Sequence, residues 1–380
     1  MDKKTRFLFI SSLVLVLILV LLNRGILPDL SPRSILQSHL KILERVIDLI
    51  KDDYFKEPDP QKTMEGAFRG MVDSLDVLSA YLDEESTRNF RQRMERRPKE
   101  TGLILFKKPY SYPYVIGIVE GSPAEKAGIN FGEIITSLDG RSTLSMSMLE
   151  ANLRLKSGEK ENLTLRVLKE EKPQELTLPK KVLFEDLYSF ENSKGTSGIL
   201  SIHRLYSPLV SQIKQNIVPL LKGEKKPLIL DFRNCYEGEL EEACKFLNIF
   251  LRAKTIGYLE RKGVRAESFS CEEKAELENL PLLLWINQAT IGPSEAVAVV
   301  IKHFKRGKLI GLPTLGLVAK QDIFFLPDGS SLVLTSGIFC LEEGEKIWGK
   351  GIEPDLKIDW TNQSKDSFLE KTKSLLSESS

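Results

Sequence analysis

Four short apolar segments, separated by helical stretches, restrict the possible folds of this chain most strongly. Each segment has the length and composition of a buried strand, and they lie at residues 198–202, 228–232, 282–286 and 308–310. The helical patterns between them lie at residues 210–221, 239–251 and 294–304. Strands that alternate with helices are typical of a layered α/β fold. The sequence therefore predicts an α/β core in the second half of the chain.

Composition excludes several classes of protein. The 380 residues include 54 lysines and arginines against 53 aspartates and glutamates, so the net charge is +1. With 42% hydrophobic residues, this is the balance of a globular protein, without the positive charge of a nucleic-acid-binding protein. The four cysteines, Cys235, Cys244, Cys271 and Cys340, have no C-x-x-C or C-x-x-H spacing. We predict no metal site and no cofactor, and we interpret the cysteines as buried apolar side chains.

A positively charged N-terminus precedes an apolar run. Lys3, Lys4 and Arg6 are followed by residues 7–22, which only two serines interrupt. A helix over this run measures about 24 Å, against about 30 Å for a hydrocarbon core. The pattern predicts an uncleaved signal anchor over residues 1–27, a single-pass inner-membrane location, and the bulk of the chain in the periplasm or outside the cell. The alternative is a cleaved signal peptide, although no small-x-small cleavage motif follows the run.

Two further regions lie between the apolar run and the α/β core. Apolar residues at three- and four-residue spacing predict a helical region over residues 28–100. One helix face there carries Leu36, Leu40, Leu43, Ile47 and Ile50. From residue 101 the pattern changes to short strands broken by glycine and proline, with a hairpin turn at Asp139-Gly140. At the other end of the chain, residues 361–380 are polar and predict a loose tail.

Five motifs follow one another in an order that one peptidase family shares. They are Gly-Ser-Pro-Ala-Glu-Lys-Ala-Gly-Ile at residues 121–129, Asp139-Gly140, Leu-Asp-Phe-Arg-Asn at 230–234, Ser294-Glu295, and Gly-Lys-Gly-Ile-Glu-Pro-Asp at 349–355. This succession resembles the carboxyl-terminal processing peptidases, also called tail-specific proteases. The resemblance implies a PDZ-like peptide-binding domain at residues 101–171 and a layered, crotonase-like α/β protease core at residues 172–360. It also implies a serine peptidase that captures a polypeptide C-terminus and cleaves the tail with a Ser–Lys pair.

The two residues that carry the chemistry of this family are replaced. The family's nucleophilic serine stands two positions before a Ser-Glu pair, and here that position is Gly292. The family's lysine follows a Thr-x-Gly pattern, and here it is Leu317. Gln321, at the position expected to orient the lysine, is present. Because glycine and leucine supply neither a nucleophile nor a base, the sequence predicts a catalytically degenerate member of the family.

The loop expected to form the oxyanion hole also differs. The family has glycines in this loop, whereas residues 233–238 read Arg-Asn-Cys-Tyr-Glu-Gly. Glu237 stands at one glycine position, and Gly238 is retained. If the Glu237 carboxylate points inward, its charge opposes a developing oxyanion. Asp231 and Arg233 are predicted to hold the strand end and the loop together.

A relocated catalytic pair is the alternative. Ser294 and Lys320 are separated in sequence by nearly the distance expected of the family's pair, so an active serine endopeptidase that cleaves C-terminal tails remains open. Thr290 is a weaker candidate for the nucleophile, and Cys235 is interpreted as a structural thiol. His303 lies in a basic stretch and is interpreted as a solvated helix end.

The PDZ-like domain is predicted to bind peptides. A PDZ domain takes an extended peptide as an added strand and binds its terminal carboxylate through backbone N–H groups. The predicted binding residues are Gly102, Leu103, Ile104, Leu105, Met148, Leu149 and Leu153. The predicted partners are polypeptide C-termini or unfolded tails, an active peptidase or envelope protein, and the membrane through one span, but no nucleic acid. A third hypothesis is a purely structural envelope protein whose PDZ-like unit docks onto its own core.

Overall fold

The computed structural model describes residues 2, 4–7, 10–12, 14, 32–95, 99–156, 160–271 and 274–378. The chain divides into two compact units, residues 1–66 and 67–380. The first unit holds helix α1 (Pro32–Asp53) and the beginning of helix α2 (Pro60–Asp73). Both helices fall in the region that the apolar spacing predicts to be helical.

The structure corrects the prediction of a membrane span. Within the part of the chain that the structure describes, no helix is both long and apolar enough to cross a membrane. Described helical positions near the N-terminus include Lys4, Arg6, Ser11 and Ser12, and much of the run 7–22 lies outside the described residues. The run is also shorter than a hydrocarbon core, at about 24 Å against about 30 Å. On this finding, the predicted single-pass inner-membrane location, with the bulk of the chain in the periplasm or outside the cell, is wrong.

The PDZ region forms a sheet of its own. After strand β1 (Ala80–Leu82) and helix α3 (Glu84–Glu95), the chain forms β2 (Leu103–Phe106), β3 (Tyr114–Ile118), α4 (Pro123–Lys126), β4 (Ile134–Leu138), β5 (Arg141–Ser142), α5 (Met148–Lys156), β6 (Asn162–Lys169) and β7 (Lys172–Pro179). The strands lie in the order β2-β3-β4-β6-β7, and β5 pairs with β4. Because β7 pairs with β6 from Lys172 to Pro179, this sheet continues past the predicted boundary at residue 171.

The rest of the chain forms two more sheets and their helices. The elements are β8 (Tyr188–Glu191), β9 (Gly198–Ile202), α6 (Leu209–Asn216), α7 (Val218–Leu221), β10 (Leu228–Asp231), α8 (Leu240–Leu247), β11 (Ala253–Arg261), β12 (Val264–Cys271), β13 (Leu282–Ile286), α9 (Pro293–His303), β14 (Gly307–Gly311), β15 (Ala319–Phe325), β16 (Ser331–Cys340), β17 (Leu356–Lys357) and α10 (Lys365–Glu378).

The α/β core is built on a six-stranded sheet in the order β17-β14-β13-β10-β9-β8. Its strands are parallel except for β8, which is antiparallel to β9. In register, Leu230 lies between Leu200 on one side and Leu284 on the other. Parallel strands are buried on both faces and read as continuous apolar runs, which is why the sequence pattern identifies these strands. The predicted α/β fold class is confirmed.

Helices cover both faces of this sheet. On one face, Leu200, Leu230 and Leu284 pack with side chains of α6, α8 and α9. On the other face, the alternate residues Ile229 and Trp285 pack against α10, and the largest cluster there is Ile199, Ile229, Leu283, Trp285, Ile310, Phe368 and Leu375. In place of the loose polar tail predicted at residues 361–380, the described residues therefore form a helix that closes the core. Its polar side faces solvent, which explains the polar composition.

A second, antiparallel sheet lies beside the core. It has the order β1-β16-β11-β12, and β15 also pairs with β16. Strands β15 and β16 form a hairpin in which Ala319 pairs with Ile338 and Phe325 with Ser331. Strand β1 lies within the region predicted to be helical, and it pairs with β16 from Ala80 to Leu82.

Candidate active site and peptide groove

Gly292 lies at the turn that leads into α9. Its φ of 66° and ψ of −122° favour glycine, because an L side chain rarely adopts a positive φ. A Cβ built on Gly292 would meet only the Leu317 carbonyl oxygen, at 4.0 Å. The position therefore has room for a side chain, but it presents only backbone. No hydroxyl stands where the family resemblance places the nucleophile.

Leu317 lies in an apolar cluster between the PDZ domain and the core. Its side chain is 4% exposed. The buried cluster around it is made of Ile104, Phe106, Ile116, Ala289 and Ile291. The first three residues belong to β2 and β3 of the PDZ domain, and the last two belong to the segment before α9. The place where the resemblance puts a base is thus an aliphatic contact between two domains.

A buried carboxylate fixes the loop that carries Leu317. Glu295 accepts hydrogen bonds from the Gly316 N–H at 2.7 Å, from the Leu317 N–H at 2.8 Å and from the Thr314 hydroxyl. Burial raises the pKa of Glu295, while these hydrogen bonds oppose the rise. The Ser-Glu motif found in the sequence therefore has a clear local role, which is to hold the loop 314–317 against α9.

Gln321 is present but points to another segment. Its side chain is exposed, and its Nε2 donates to the Leu78 carbonyl at 2.7 Å. Leu78 itself packs against the apolar cluster of Leu317. Gln321 thus anchors the loop before β1 to this region of the core.

Ser294 and Lys320 have different partners. Ser294 is 1% exposed; its hydroxyl donates to the Cys235 carbonyl, and the Ile291 carbonyl oxygen also lies 3.0 Å from Oγ. Lys320 lies on β15, nearly half exposed, with its Nζ 3.2 Å from Glu267 Oε2. The hydroxyl serves backbone carbonyls inside the core, while the ammonium forms a surface ion pair. These contacts give a relocated Ser–Lys pair no support.

The weaker candidates for the nucleophile are also in structural positions. Thr290 is fully buried; its Oγ1 accepts from the Asn287 N–H at 3.0 Å and donates to the Phe232 carbonyl at 2.9 Å. Cys235 is fully buried, and burial raises the pKa of its thiol to about 12, so it stays protonated near neutral pH. His303 ends α9 with Nε2 3.1 Å from Glu343 Oε2.

The Asp231–Arg233 pair joins the strand end to its loop. Arg233 donates to both carboxylate oxygens of Asp231, at 2.9 and 2.7 Å. Its guanidinium also lies over the rings of Trp285 and Phe368, 5.0 and 4.7 Å from their centroids. Such bidentate, stacked contacts are typical of structural arginines. Within the described residues, no group of three or more His, Cys, Asp or Glu side chains is arranged to hold a metal ion.

Glu237 is buried and paired with cations. Its Oε1 lies 2.9 Å from Lys156 Nζ, and its Oε2 lies 3.3 Å from Arg204 Nε. The adjacent Gly238 allows the loop to approach Leu205, because a Cβ there would lie 2.5 Å from the Leu205 Cβ. The carboxylate is thus directed to an ion cluster at the boundary with the PDZ domain, where its charge is balanced.

The same loop touches the PDZ domain at a second point. Asn234 Nδ2 donates to the Ile118 carbonyl at 3.0 Å. A Cβ on Gly117 would lie 2.6 Å from Asn234 Oδ1 and 2.7 Å from the Ala289 Cβ. Strand β3 therefore approaches the core closely because Gly117 has no side chain.

The residues predicted to bind peptide surround a closed groove. Leu103, Ile104, Leu105 and Leu153 are at most 2% exposed, Gly102 is also buried, and Met148 and Leu149 are partly buried. The free edge of β2 at Leu105 is occupied by Asn152 of α5. Asn152 Oδ1 accepts from the Leu105 N–H at 3.1 Å, and Asn152 Nδ2 donates to the Leu105 carbonyl at 2.9 Å. The amide thus makes the two hydrogen bonds that an added peptide strand would make.

Sequence reasoning missed the residues that close the groove and join the domains. They are Glu100, Asn152, Lys156 and Arg204. Each contacts a residue between 47 and 104 positions away in the sequence. No local spacing signals such a contact.

A PDZ domain docked on a layered α/β core, with a positive-φ turn between strand and helix, defines a PDZ-containing serine-peptidase scaffold. Family models match three segments of the chain: "Activating protease CtpB N-terminal domain" at residues 29–86, "PDZ domain" at 114–169, and "Peptidase family S41" at 196–358. These matches confirm the resemblance found in the sequence: the chain is similar to the carboxyl-terminal processing peptidases in its N-terminal, PDZ and protease segments.

Individual relatives agree with this assignment. A probable CtpA-like serine protease of Staphylococcus aureus (strain COL) is 28% identical over 340 residues, covering 89% of this chain and 68% of the relative. The corresponding protein of Staphylococcus epidermidis is 27% identical over 326 residues, covering 85% and 66%. Among solved structures, a photosystem II D1 C-terminal processing protease has a TM-score of 0.70 at 21% identity, covering 87% of this chain and 90% of that one. This last likeness shows the fold.

Proposed function

We propose that this chain binds polypeptide C-termini without cleaving them, as a tail-binding protein or as a regulator of an active peptidase. The observation that carries the proposal is the bare backbone at Gly292, where a side chain has room but is missing. Leu317 supports it, since a buried aliphatic side chain cannot take up a proton. In a well-studied serine peptidase, loss of the nucleophile alone costs about 10⁶-fold in turnover.

The PDZ domain supports the binding half of the proposal. A PDZ domain binds peptides by strand addition, and β2 is the strand that would receive the peptide. Leu103 and Leu105 of this strand are buried in the PDZ core, so an apolar final residue would join that core between β2 and α5. A peptide that pairs with β2 has to displace the Asn152 amide from Leu105.

The test is a hydrolysis and labelling assay on the full chain. Unstructured fluorogenic peptides with apolar C-termini are expected to remain uncleaved, and a fluorophosphonate probe is expected to form no adduct. Cleavage that disappears in a Ser294→Ala variant would contradict the proposal and favour the relocated pair. A covalent adduct mapped to this cleft would also contradict the proposal.

Restoring the pair provides the matched comparison. The double variant Gly292→Ser with Leu317→Lys is expected to hydrolyse the same peptides above the level of the native chain, because the turn at 292 already leaves room for a side chain. A further variant adds Glu237→Gly to return the loop to the family pattern. If both variants are as inactive as the native chain, the two replaced positions do not explain its inactivity.

The closed groove favours a second candidate, a structural role in which the PDZ domain serves only as a docked part of the core. The observation behind it is the Asn152 amide on the β2 edge. Titration of the full chain with a labelled peptide that ends in leucine or valine separates the two. Saturable binding supports the tail-binding proposal, whereas no binding supports the structural role.

A further inference from the structure

Helix α5, the helix that walls the PDZ groove, is held by charges at both ends. Near its N-terminus, Glu150 pairs with Arg69, which also lies 2.9 Å from Asp83 Oδ2. At its C-terminus, Lys156 is 2.9 Å from Glu237 Oε1 and 3.4 Å from Glu100 Oε2. The helix is therefore tied to segments outside the PDZ sheet at both ends.

The cluster at the C-terminal end joins the PDZ domain to the core. Lys156 and Glu100 come from the PDZ side, and Arg204 and Glu237 come from the core. Arg204 lies 2.9 Å from Glu100 Oε1 and 3.3 Å from Glu237 Oε2, so each carboxylate contacts both cations. The four side chains are between 2% and 13% exposed. Two positive and two negative charges balance, as a buried cluster requires.

The loop 233–238 makes further contacts with the PDZ domain besides the Lys156–Glu237 ion pair. The ring of Tyr236 lies under Lys156, with Nζ 4.1 Å from the ring centroid. Asn234 bonds to the Ile118 carbonyl of the PDZ strand β3. Three residues of the loop that stands at the expected oxyanion site therefore contact the PDZ domain. A glycine at position 237 would remove the direct ion pair between this loop and α5.

The held helix lies directly on the peptide-binding edge. Asn152, one turn before Lys156, makes both hydrogen bonds to Leu105 of β2. The Leu155 carbonyl accepts from the Thr101 N–H at 3.3 Å, in the loop that would hold a terminal carboxylate. Moving α5 away from β2 has to break these contacts and the Lys156–Glu237 pair together.

We propose that Lys156 and Glu237 form a latch between the domains that holds α5 closed on β2, so that the groove admits a polypeptide tail when the latch opens. The part that concerns tail entry rests on the proposed tail-binding function. The latch itself is independent of that function, because it concerns only the position of α5. Glu237 is a positioning residue in this scheme and acts through Lys156.

The test is amide hydrogen exchange of α5 in the full chain, without peptide. Glu237→Gln keeps the size of the side chain and removes its charge, so the α5 amides are expected to exchange at least tenfold faster than in the native chain. Glu242→Gln is the matched control. Glu242 is also a buried carboxylate, but it bonds to the Val210 N–H inside the core, 2.9 Å away. Loss of the Glu242 charge is expected to leave the exchange rates of the α5 amides at their native values, relative to the rest of the chain.

A second variant keeps the test decisive. Lys156→Gln breaks the same pair from the other side. The double variant is expected to exchange no faster than the faster single variant, because both changes break the Lys156–Glu237 pair and together they leave Arg204 and Glu100 balanced. Unchanged α5 exchange in both single variants would overturn the latch.

Peptide binding then separates the two proposals. A labelled peptide ending in leucine is expected to bind Glu237→Gln at least tenfold more tightly than the native chain. Faster exchange of α5 without any peptide binding would uphold the latch and overturn tail binding. Glu237→Gln could also show faster exchange of the α5 amides but the same peptide affinity as the native chain. That result would support a latch that holds α5 and would contradict its control of tail entry.

Discussion

At the scale of single residues, two glycines with positive φ differ in what surrounds them. Gly292 has no neighbour within contact distance of a Cβ except a carbonyl at 4.0 Å, whereas a Cβ on Gly311 would lie 1.8 Å from the Ile286 carbonyl oxygen. We expect Gly292→Ala to cost about 1–2 kcal/mol of unfolding free energy, from backbone strain alone. Gly311→Ala should cost at least about 3 kcal/mol, because a clash adds to the strain. Urea denaturation of both variants measures the difference, and equal costs would contradict it.

A partly buried histidine makes the stability of the chain depend on pH. His203 stacks on Phe184 with ring centroids 4.0 Å apart, and burial lowers the pKa of His203 to about 4 from an ordinary value of 6.5. The unfolded chain therefore takes up a proton between pH 6.5 and 4 that the folded chain refuses. Stability should fall as the pH drops through this window, by up to about 3 kcal/mol, and His203 should contribute nothing above it.

Comparison with a variant isolates this effect from the titration of carboxylates. His203→Phe keeps an aromatic ring to stack on Phe184 and removes the titrating group. Unfolding free energies from urea titrations between pH 4 and 8 should show a shallower decline in the variant. Parallel pH profiles for the native chain and the variant would show that His203 does not cause the decline.

The sequence points to the two positions that differ from the family pattern, but not to all of their surroundings. Gly292 and Leu317 could be found because flanking motifs fix their positions. The direction of the Glu237 side chain could not be found, since its cations are Lys156 and Arg204, which lie far away in the sequence. A local pattern assigns a residue to an element, whereas its contacts depend on how elements pack.

At the scale of elements, α10 shows what a polar helix contributes. Phe368 is fully buried and lies 5.4 Å from Trp285, ring centroid to ring centroid. The Trp285 Nε1 donates to Thr372 Oγ1 at 3.0 Å. We expect Phe368→Ala to lower the unfolding free energy by about 3–5 kcal/mol, because a large cavity would open on one face of the sheet. Lys373→Ala on the exposed side of the same helix is the control and should change it by less than about 0.5 kcal/mol. Similar losses from both would contradict the burial of α10.

The sequence predicts those elements whose burial produces a clear apolar pattern. Strands β10 and β13 are apolar throughout because both faces of their sheet are covered. The sequence does not predict strands β11 and β12, since polar residues such as Arg265 and Glu267 interrupt the apolar pattern of β12. Strand β1 has three residues, too few for a period, and it lies among helices. The spacing of Phe368, Thr372 and Leu375 is helical and indicates α10, but the polar composition of the segment favours a loose tail instead.

At the scale of the whole molecule, the positions that the family resemblance assigns to catalysis lie on one boundary between domains. Leu317 packs against PDZ strands, and Glu237 pairs with the PDZ helix α5. The positions that the resemblance assigns to catalysis and to the oxyanion loop are therefore occupied by contacts that join domains. An aliphatic residue and a paired carboxylate stabilise such a boundary, whereas a lysine in the same apolar cluster would lose stability to desolvation, which disfavours its charged form.

This boundary should determine whether the PDZ domain and the core unfold together. Gly117 lets β3 approach the core, and a valine there would force its side chain into Asn234 and Ala289, 2.6 and 2.7 Å from the Cβ position. The PDZ domain has an apolar core of its own, which includes Leu105, Val115 and Leu165. We therefore expect Gly117→Val to wedge the domains apart without unfolding the PDZ sheet, so that one calorimetric transition in the native chain becomes two. Gly70→Val is the matched control, since a Cβ on Gly70 meets nothing within 4 Å, and it should keep a single transition. A single transition with an unchanged midpoint in Gly117→Val would mean that contacts across this boundary do not couple the two domains, because the added side chain meets Asn234, Ala289 and the boundary residue Ile104.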